Sequence, residues 1–203
     1  MTKNKLAIIG GSGLYEIEGL ESPKWKSITT PWGKPSDEIL NFKYKEKEVC
    51  FLPRHARGHK ISPSNINFRA NILALKELWV TSIISFSVAW VINPEIPLAK
   101  PSIITDLYFT DNRLPWWEIC SLFSESWEKW RGHLIAESFY NSEINKDIVE
   151  ILHWDIVIDS TYVYSIWPRF NSKAEIRWFK NIGWDYVSQT CWPEAVLSWE
   201  LEI

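Results

Sequence analysis

The chain has 203 residues and a formal net charge of −3, with 22 lysines and arginines against 25 acidic residues. This length predicts one domain, residues 1–203, with a sizeable buried core. The slightly acidic balance disfavours a protein whose surface binds nucleic acid. The apolar stretch at 78–92 is shorter than the ~20 residues that a membrane span needs, so no membrane association is predicted.

The composition is unusual in one respect. There are 14 tryptophans against 8 glycines, although glycine is ordinarily among the commonest residues. The three cysteines, Cys50, Cys120 and Cys191, lie far apart and form no CxxC pair. This spacing favours a reduced, cytoplasmic protein over a disulfide scaffold or a zinc ribbon.

The first 78 residues predict strands followed by a helix. Short apolar runs at 6–9 and 49–52 predict buried strands, and the polar and apolar alternation at 27–44 predicts a hairpin or meander. The clearest helix should begin with Ser64 as its N-cap and end near Leu78, because its apolar residues recur at helical spacing.

The rest of the chain predicts a similar alternation. Residues 111–138 are expected to form surface loops. Further strands are expected at 80–89, 102–105, 155–158, 161–166 and 185–187. Further helices are expected at 145–152 with Ile148, Ile151 and Leu152 inward, at 171–182 between Asn171 as cap and Gly183, and at 194–203 after Pro193. Such alternation predicts an α/β fold with a mostly parallel or mixed sheet flanked by helices.

Two loops carry groups that suit a small anion. Residues 10–13, Gly-Gly-Ser-Gly, follow the first strand and allow a tight turn that presents backbone N–H groups. Residues 52–60 contain two arginines, two histidines and a lysine, with Pro53 and Gly58 breaking regular structure. These residues alone allow either a solvated charged loop or a phosphate site.

Two other interpretations of the basic loop are weaker. His55 and His59 are four residues apart, but Pro53 and Gly58 disfavour a helix there and no third ligand is evident, so no metal is predicted. Binding of RNA is disfavoured by the overall acidic balance and by the shortness of the basic stretch.

Several motifs then follow one another in order. They are residues 8–15 (IIGGSGLY), 30–37 (TPWGKPSD), 52–59 (LPRHARGH) and 67–78 (NFRANILALKEL), with shorter patches at 161–163, 168–170, 174–175, 190 and 193–197. Together they resemble the 5′-methylthioadenosine phosphorylase group of the trimeric purine nucleoside phosphorylases. The resemblance implies a nucleoside phosphorylase-like α/β fold with a mixed central sheet and a cytoplasmic homotrimer that acts in purine salvage.

The resemblance also implies a reaction and a site. Enzymes of this group are pentosyltransferases: phosphate attacks C1′ of a purine nucleoside and releases the base and a ribose 1-phosphate, with inorganic phosphate as co-substrate and no cofactor. By resemblance, the phosphate-binding residues are Ser12, Arg54, His55, Ser87, Val88 and Thr190. The nucleoside-binding residues are His59, Pro63, Ala89, Trp90, His133 from a neighbouring subunit, Phe170, Val187, Ser188 and Gln189.

The chain departs from the family pattern at the purine side. The family has glycine at the positions of Trp79, Trp90 and Trp167, and Trp90 stands where that glycine lies against the purine. An indole there is expected to overfill the pocket, and overpacking typically costs ~1–3 kcal/mol. The family's acidic residue at position 166 is Ile166, and its methionine at the ribose is Gln189.

The family's aspartates that help the purine depart lie beyond Ile203, in a Thr-Asp-Tyr-Asp motif. We therefore assign no catalytic acid and expect the C-terminal part of the fold to be missing. Two functions remain open: a phosphorylase of reduced activity, and a catalytically defective relative that keeps only phosphate binding or oligomerisation.

Overall fold

The computed structural model describes residues 4–11, 14, 20–109, 111–123, 140–152 and 156–203. The strands are β1 Leu6–Gly10, β2 Glu21–Lys26, β3 Ile39–Tyr44, β4 Lys47–Pro53, β5 Ser82–Ser85, β6 Trp90–Val91, β7 Ser102–Tyr108, β8 Val157–Tyr164 and β9 Tyr186–Ser188. The α-helices are α1 Phe68–Glu77, α2 Ser142–Leu152, α3 Lys173–Ile182 and α4 Trp192–Glu200, and two 3-10 turns are Pro63–Asn65 and Pro115–Trp117. These elements confirm the α/β class.

The first sheet has the strand order β2-β3-β4-β1-β5. Strand β1 is parallel to both β4 and β5, whereas β2, β3 and β4 form the antiparallel meander that the sequence predicts. One face is covered by α1 and α4, and the shared core includes Ile9, Leu52, Ile72, Leu75 and Leu197, each fully buried. The central parallel strands are therefore apolar because they are buried.

The second sheet has the order β6-β9-β8-β7. Strands β7, β8 and β9 are parallel, and β6 is antiparallel to β9 with Trp90 opposite Val187. Its core contains Val163 and Phe179, and a second cluster packs Tyr162 of this sheet against Trp192 of α4. The fold thus comprises two mixed sheets, where the sequence suggested one.

Helix capping corrects two predicted helix starts. Helix α1 is capped by Asn67, whose side chain accepts the N–H of Ala70 at 3.1 Å, while Ser64 lies inside the preceding 3-10 turn. Helix α3 is capped by Ser172, which forms a reciprocal capping box with Glu175. Asn171 instead donates to Ser165 at 3.0 Å. In both cases the residue that reaches a free N–H three positions later is the cap.

Three other predictions need correction. The expected strand at 80–89 is only the shorter β5, Ser82–Ser85, because the chain leaves the first sheet after Ser85 and pairs again only at Trp90, in the second sheet. The expected strands at 155–158 and 161–166 are the single strand β8, and the last helix ends at Glu200. In α2 the side chains of Ile151 and Leu152 are 73% and 42% exposed, not inward.

The predicted end of the helix at 171–182 is confirmed. Gly183 ends α3 in a left-handed conformation with φ of 99°, as expected of a C-terminal glycine. Within the described residues, every helix is too short or too polar to cross a lipid bilayer.

The conformation of Trp79, just after α1, leads us to expect that its replacement changes the stability of the fold. Its backbone is left-handed with φ of 63° and its indole is 82% exposed. A residue with a Cβ costs ~1–2 kcal/mol in this conformation, and an exposed side chain recovers little of it. We expect Trp79→Gly to raise the free energy of unfolding by about 1 kcal/mol, which urea denaturation measures. A lower midpoint for the variant would show that the indole stabilises the fold.

Candidate functional site

The predicted anion-binding loops meet at one edge of the first sheet. Strands β1, β4 and β5 are parallel and end next to one another at Gly10, Pro53 and Ser85. Backbone hydrogen bonds continue past these ends, from Arg54 N to Gly10 O at 2.9 Å and from Phe86 N to Ile9 O at 2.9 Å. This edge is where parallel α/β sheets bind their ligands.

Arg54 is fully buried at this edge and is bound on three sides. Its Nε and Nη2 donate to the two carboxylate oxygens of Glu194 at 2.6 and 2.9 Å, and Nη1 donates to the carbonyl of Phe86 at 2.9 Å. Burial by itself lowers the pKa of Arg54, but the carboxylate of Glu194 outweighs it and holds that pKa above the ordinary value. The guanidinium is therefore a fixed cation in a dry setting.

Gly11 allows the close approach of this guanidinium. A Cβ at position 11 would lie 2.7 Å from Nη1 of Arg54 and 2.9 Å from the carbonyl oxygen of Phe86. Neither neighbour can move freely, since one is locked in the ion pair and the other is backbone. The glycine turn and the basic loop are thus in direct contact, as the phosphate-site interpretation requires.

Two hydroxyl groups lie on the segments that follow β5 and β9. The Oγ of Ser87 is 2.8 Å from the Oγ1 of Thr190, and Ser188 donates to the carbonyl of Val88 at 2.9 Å. Helix α4 begins at Trp192, immediately after these residues. A helix N-terminus carries partial positive charge, which favours a nearby anion.

His55 adds a second buried polar group. Its Nδ1 atom lies 2.8 Å from the carbonyl oxygen of Ile61. The ring also stacks on that of His59, with the two ring centroids 4.5 Å apart. Because a carbonyl only accepts, Nδ1 carries the proton. Burial lowers the pKa of His55, so the neutral ring is the form that the fold favours.

The depressed pKa of His55 predicts a pH effect on stability. As pH falls through the ordinary histidine range near ~6.5, the unfolded chain takes up a proton at this position before the folded chain does. We therefore expect stability to fall between pH 7.5 and 5.5, as measured by urea midpoints. His55→Asn keeps a donor for Ile61 and cannot titrate, so its midpoint should fall less; an equal fall in both proteins would contradict this assignment.

The residues expected to hold the nucleoside lie mainly on the second sheet. Trp90 is 47% exposed and packs edge-to-face on Phe170, with centroids 5.2 Å apart. Val187 pairs with Trp90, and Gln189 donates to the carbonyl of Arg169 at 2.9 Å. The indole thus stands over the aromatic ring that the resemblance assigns to the nucleoside.

The remaining predicted residues are placed as follows. Ala89 precedes β6, and Ser188 ends β9. His59 lies in the basic loop against His55, and Pro63 begins the next 3-10 turn. Ser12 and His133 lie outside the described residues.

A groove of about 320 Å³ lies away from this edge. It is bordered by the two 3-10 turns, and its walls include Trp32, Phe68, Arg69 and Trp116. Arg69 stacks on Trp32 at 4.3 Å and donates to the carbonyls of Ile119 and Ser121. The groove contains none of the residues predicted for the site.

Sequence reasoning missed the partners of Arg54. Glu194 is 1% exposed and Ser85 was assigned only to a strand. The available signal was that a buried arginine needs a counterion, and Glu194 lies within a motif that the sequence analysis singled out. Among the described residues, no group of three His, Cys, Asp or Glu side chains could hold a metal ion.

The α/β fold places a buried arginine, paired hydroxyls and a helix N-terminus at one sheet edge, a set of donors that suits an anion such as phosphate. Residues 5–203 match the family model described as the phosphorylase superfamily. The chain belongs to this superfamily.

The chain is similar to known proteins over most of its length. It is 36% identical to the S-methyl-5′-thioadenosine phosphorylase of Nitrosopumilus maritimus, over 98% of this chain and 74% of the relative. It is also 36% identical to the 6-oxopurine nucleoside phosphorylase of Pyrococcus furiosus, over 98% of this chain and 75% of the relative. Methylthioadenosine phosphorylase from Schistosoma mansoni in apo form has a similar solved structure, with a TM-score of 0.82 and 25% identity over 97% of this chain and 75% of that one. The chain spans about three quarters of the length of these curated relatives.

Proposed function

We propose that the chain carries out phosphorolysis of 5′-methylthioadenosine or a related purine nucleoside. The products are the free purine base and (methylthio)ribose 1-phosphate, and inorganic phosphate is the co-substrate. The observation that carries this proposal is the convergence of Gly11, Arg54, Ser87 and Thr190 at one sheet edge, in a chain whose relatives are named as phosphorylases of such nucleosides.

The proposed chemistry follows from this geometry. An oxygen of phosphate forms a bond to C1′ of the sugar while the C1′–N bond to the purine breaks and its electron pair leaves with the base. Arg54 Nη1, the hydroxyls of Ser87 and Thr190, and the backbone around Gly11 would hold the phosphate. By resemblance, Ser12, His55 and Val88 complete this half of the site.

The nucleoside is proposed to lie between the phosphate and the second sheet. Phe170 is 73% exposed, so its ring is available for stacking on a base or sugar, and the indole of Trp90 packs edge-to-face beside it. Ala89, Val187, Ser188 and Gln189 border the same region, while His59 and Pro63 would face the 5′ substituent. A homotrimer in which a neighbouring subunit supplies His133 is part of the proposal, as is a cytoplasmic location, which the three free cysteines support.

The direct test supplies 5′-methylthioadenosine with and without inorganic phosphate and follows free adenine by chromatography. We expect adenine to appear only with phosphate, together with an equal amount of the sugar phosphate. The rate is expected to be low, because no described residue is assigned as the acid for the leaving base and such an acid contributes roughly 10²–10⁴-fold. Absence of adenine at high enzyme concentration would reject this activity.

The packing of Trp90 on Phe170 favours one alternative. A catalytically defective relative would keep the phosphate half of the site and lose the nucleoside half. It predicts phosphate binding by calorimetry without turnover, so the two assays together separate the candidates.

A further inference from the structure

We propose that Glu194 is a positioning residue for phosphate, because it fixes the direction in which Arg54 presents its remaining donor. This inference rests on the proposed function. Glu194 would not touch phosphate itself but would act through Arg54. Glu194 lies in the first turn of α4, and Arg54 follows β4. One ion pair therefore joins two distant parts of the chain at the site.

The geometry of the pair leaves one edge of the guanidinium for a ligand. Glu194 occupies Nε and Nη2, at 2.6 and 2.9 Å. Nη1 donates one N–H to Phe86 and faces Gly11, at 2.7 Å from where a Cβ would stand. Among the described residues, the second N–H of Nη1 is thus the donor left for phosphate.

Ser85 holds the ion pair of Arg54 and Glu194 in place through two hydrogen bonds. Its Oγ accepts from Nη2 of Arg54 at 2.6 Å and donates to Oε2 of Glu194 at 2.5 Å. The hydroxyl therefore closes a ring of hydrogen bonds around one side of the ion pair. Since Glu194 already neutralises the charge of Arg54, the contact with phosphate depends on where Nη1 points as much as on charge.

The test compares variants in steady-state kinetics with inorganic phosphate and 5′-methylthioadenosine. Glu194→Asp keeps the charge and shortens the side chain by one methylene, so it should draw the guanidinium away from Gly11. We expect the KM for phosphate to rise roughly tenfold, with little change in the KM for the nucleoside. Ser85→Ala, which removes only a hydroxyl at a strand end, should raise the KM for phosphate roughly threefold.

Glu175→Asp is the matched control, because Glu175 forms a similar two-point pair with Arg169, at 2.7 and 2.8 Å, on the surface. Its KM for phosphate should not change. If Glu194→Asp and Ser85→Ala unfold at lower temperature but keep the wild-type KM for phosphate, Glu194 is purely structural and the inference is overturned.

Failure of the proposed function gives a different result. If the wild-type chain shows no phosphorolysis, calorimetric titration with inorganic phosphate replaces the kinetics, and the same roughly tenfold loss is expected in Glu194→Asp. Equal affinity in the two proteins, or no binding to the wild type, would overturn the inference.

Three tryptophans whose backbone is left-handed support a second, independent inference. Trp79, Trp116 and Trp117 have φ of 63°, 71° and 64°. Their side chains are 82%, 78% and 73% exposed. A left-handed backbone is a strong outlier for a bulky residue and ordinary for glycine. The chain also has more tryptophan than glycine, 14 against 8.

We infer that these three positions are glycine positions of the fold, and that their codons are UGA codons which the source organism reads as glycine. UGA is a stop codon in the standard code, and some organisms read it as tryptophan whereas others read it as glycine. A translation that reads UGA as tryptophan would therefore place tryptophan where such an organism has glycine. Trp32 serves as the comparison. It is partly buried, stacks on Arg69 at 4.3 Å and has no left-handed backbone.

Sequencing of the gene tests this inference. We expect UGA at positions 79, 116 and 117 and the ordinary tryptophan codon UGG at position 32. Mass spectrometry of the protein isolated from its source should then show glycine in the peptides that contain the three positions. UGG at these positions, or tryptophan in those peptides, would overturn the inference.

Discussion

Glu194→Gln is expected to lower the free energy of unfolding by about 3–5 kcal/mol, the cost of removing one partner from a buried ion pair. Arg54 is fully buried and Glu194 is 1% exposed, so the arginine would be left without its counterion in a dry environment. Glutamine keeps the shape of the side chain but presents an N–H where the carboxylate accepts from Arg54. Unfolding in guanidinium chloride measures the change.

Glu175→Gln is the control for this prediction, since Glu175 also binds an arginine, Arg169, through two hydrogen bonds but at the surface. Water screens the exposed pair, so its loss should have a much smaller effect. A loss of stability in Glu194→Gln no larger than in Glu175→Gln would mean that Arg54 and Glu194 are hydrated in solution.

Trp90→Gly is expected to raise kcat/KM for 5′-methylthioadenosine by roughly tenfold or more. The indole lies edge-to-face on Phe170 in the region proposed for the nucleoside. Relief of overpacking of ~1–3 kcal/mol corresponds to about one to two orders of magnitude in a binding or rate constant. Initial rates at saturating phosphate measure the effect.

Trp79→Gly provides the matched comparison, because it is the same substitution at an exposed position next to α1. It should change stability without changing kcat/KM. An unchanged or reduced kcat/KM for Trp90→Gly would show that Trp90 does not obstruct the nucleoside.

Local signals were sufficient for much of the fold. The apolar runs at β1 and β4, the glycine at the end of α3 and the periodic helix α1 each depend on residues close together in the chain. The pairing of the strands was harder to predict from the sequence. The break between β5 and β6 follows from which neighbour each strand pairs with, β1 or β9, and no local pattern carries that information.

In the site too, local features could be predicted and long-range contacts could not. The glycine turn and the basic loop could be recognised because their chemistry is local, and the ordered motifs joined them to Thr190. The partner of Arg54 was missed, since Glu194 lies 140 residues away and its carboxylate has no local peculiarity. The exposed apolar residues of α2 were mispredicted for a related reason: amphipathic spacing specifies an apolar face but not whether an element covers it.

The central claim is that Arg54, Ser87 and Thr190 belong to a phosphate site, and calorimetric titration of inorganic phosphate tests it most directly. The measurement compares the wild-type chain with Thr190→Ala, which removes the hydroxyl 2.8 Å from Ser87. We predict saturable binding to the wild type and roughly tenfold weaker binding to the variant. Absence of binding to the wild type, or equal affinity in both proteins, would contradict the account.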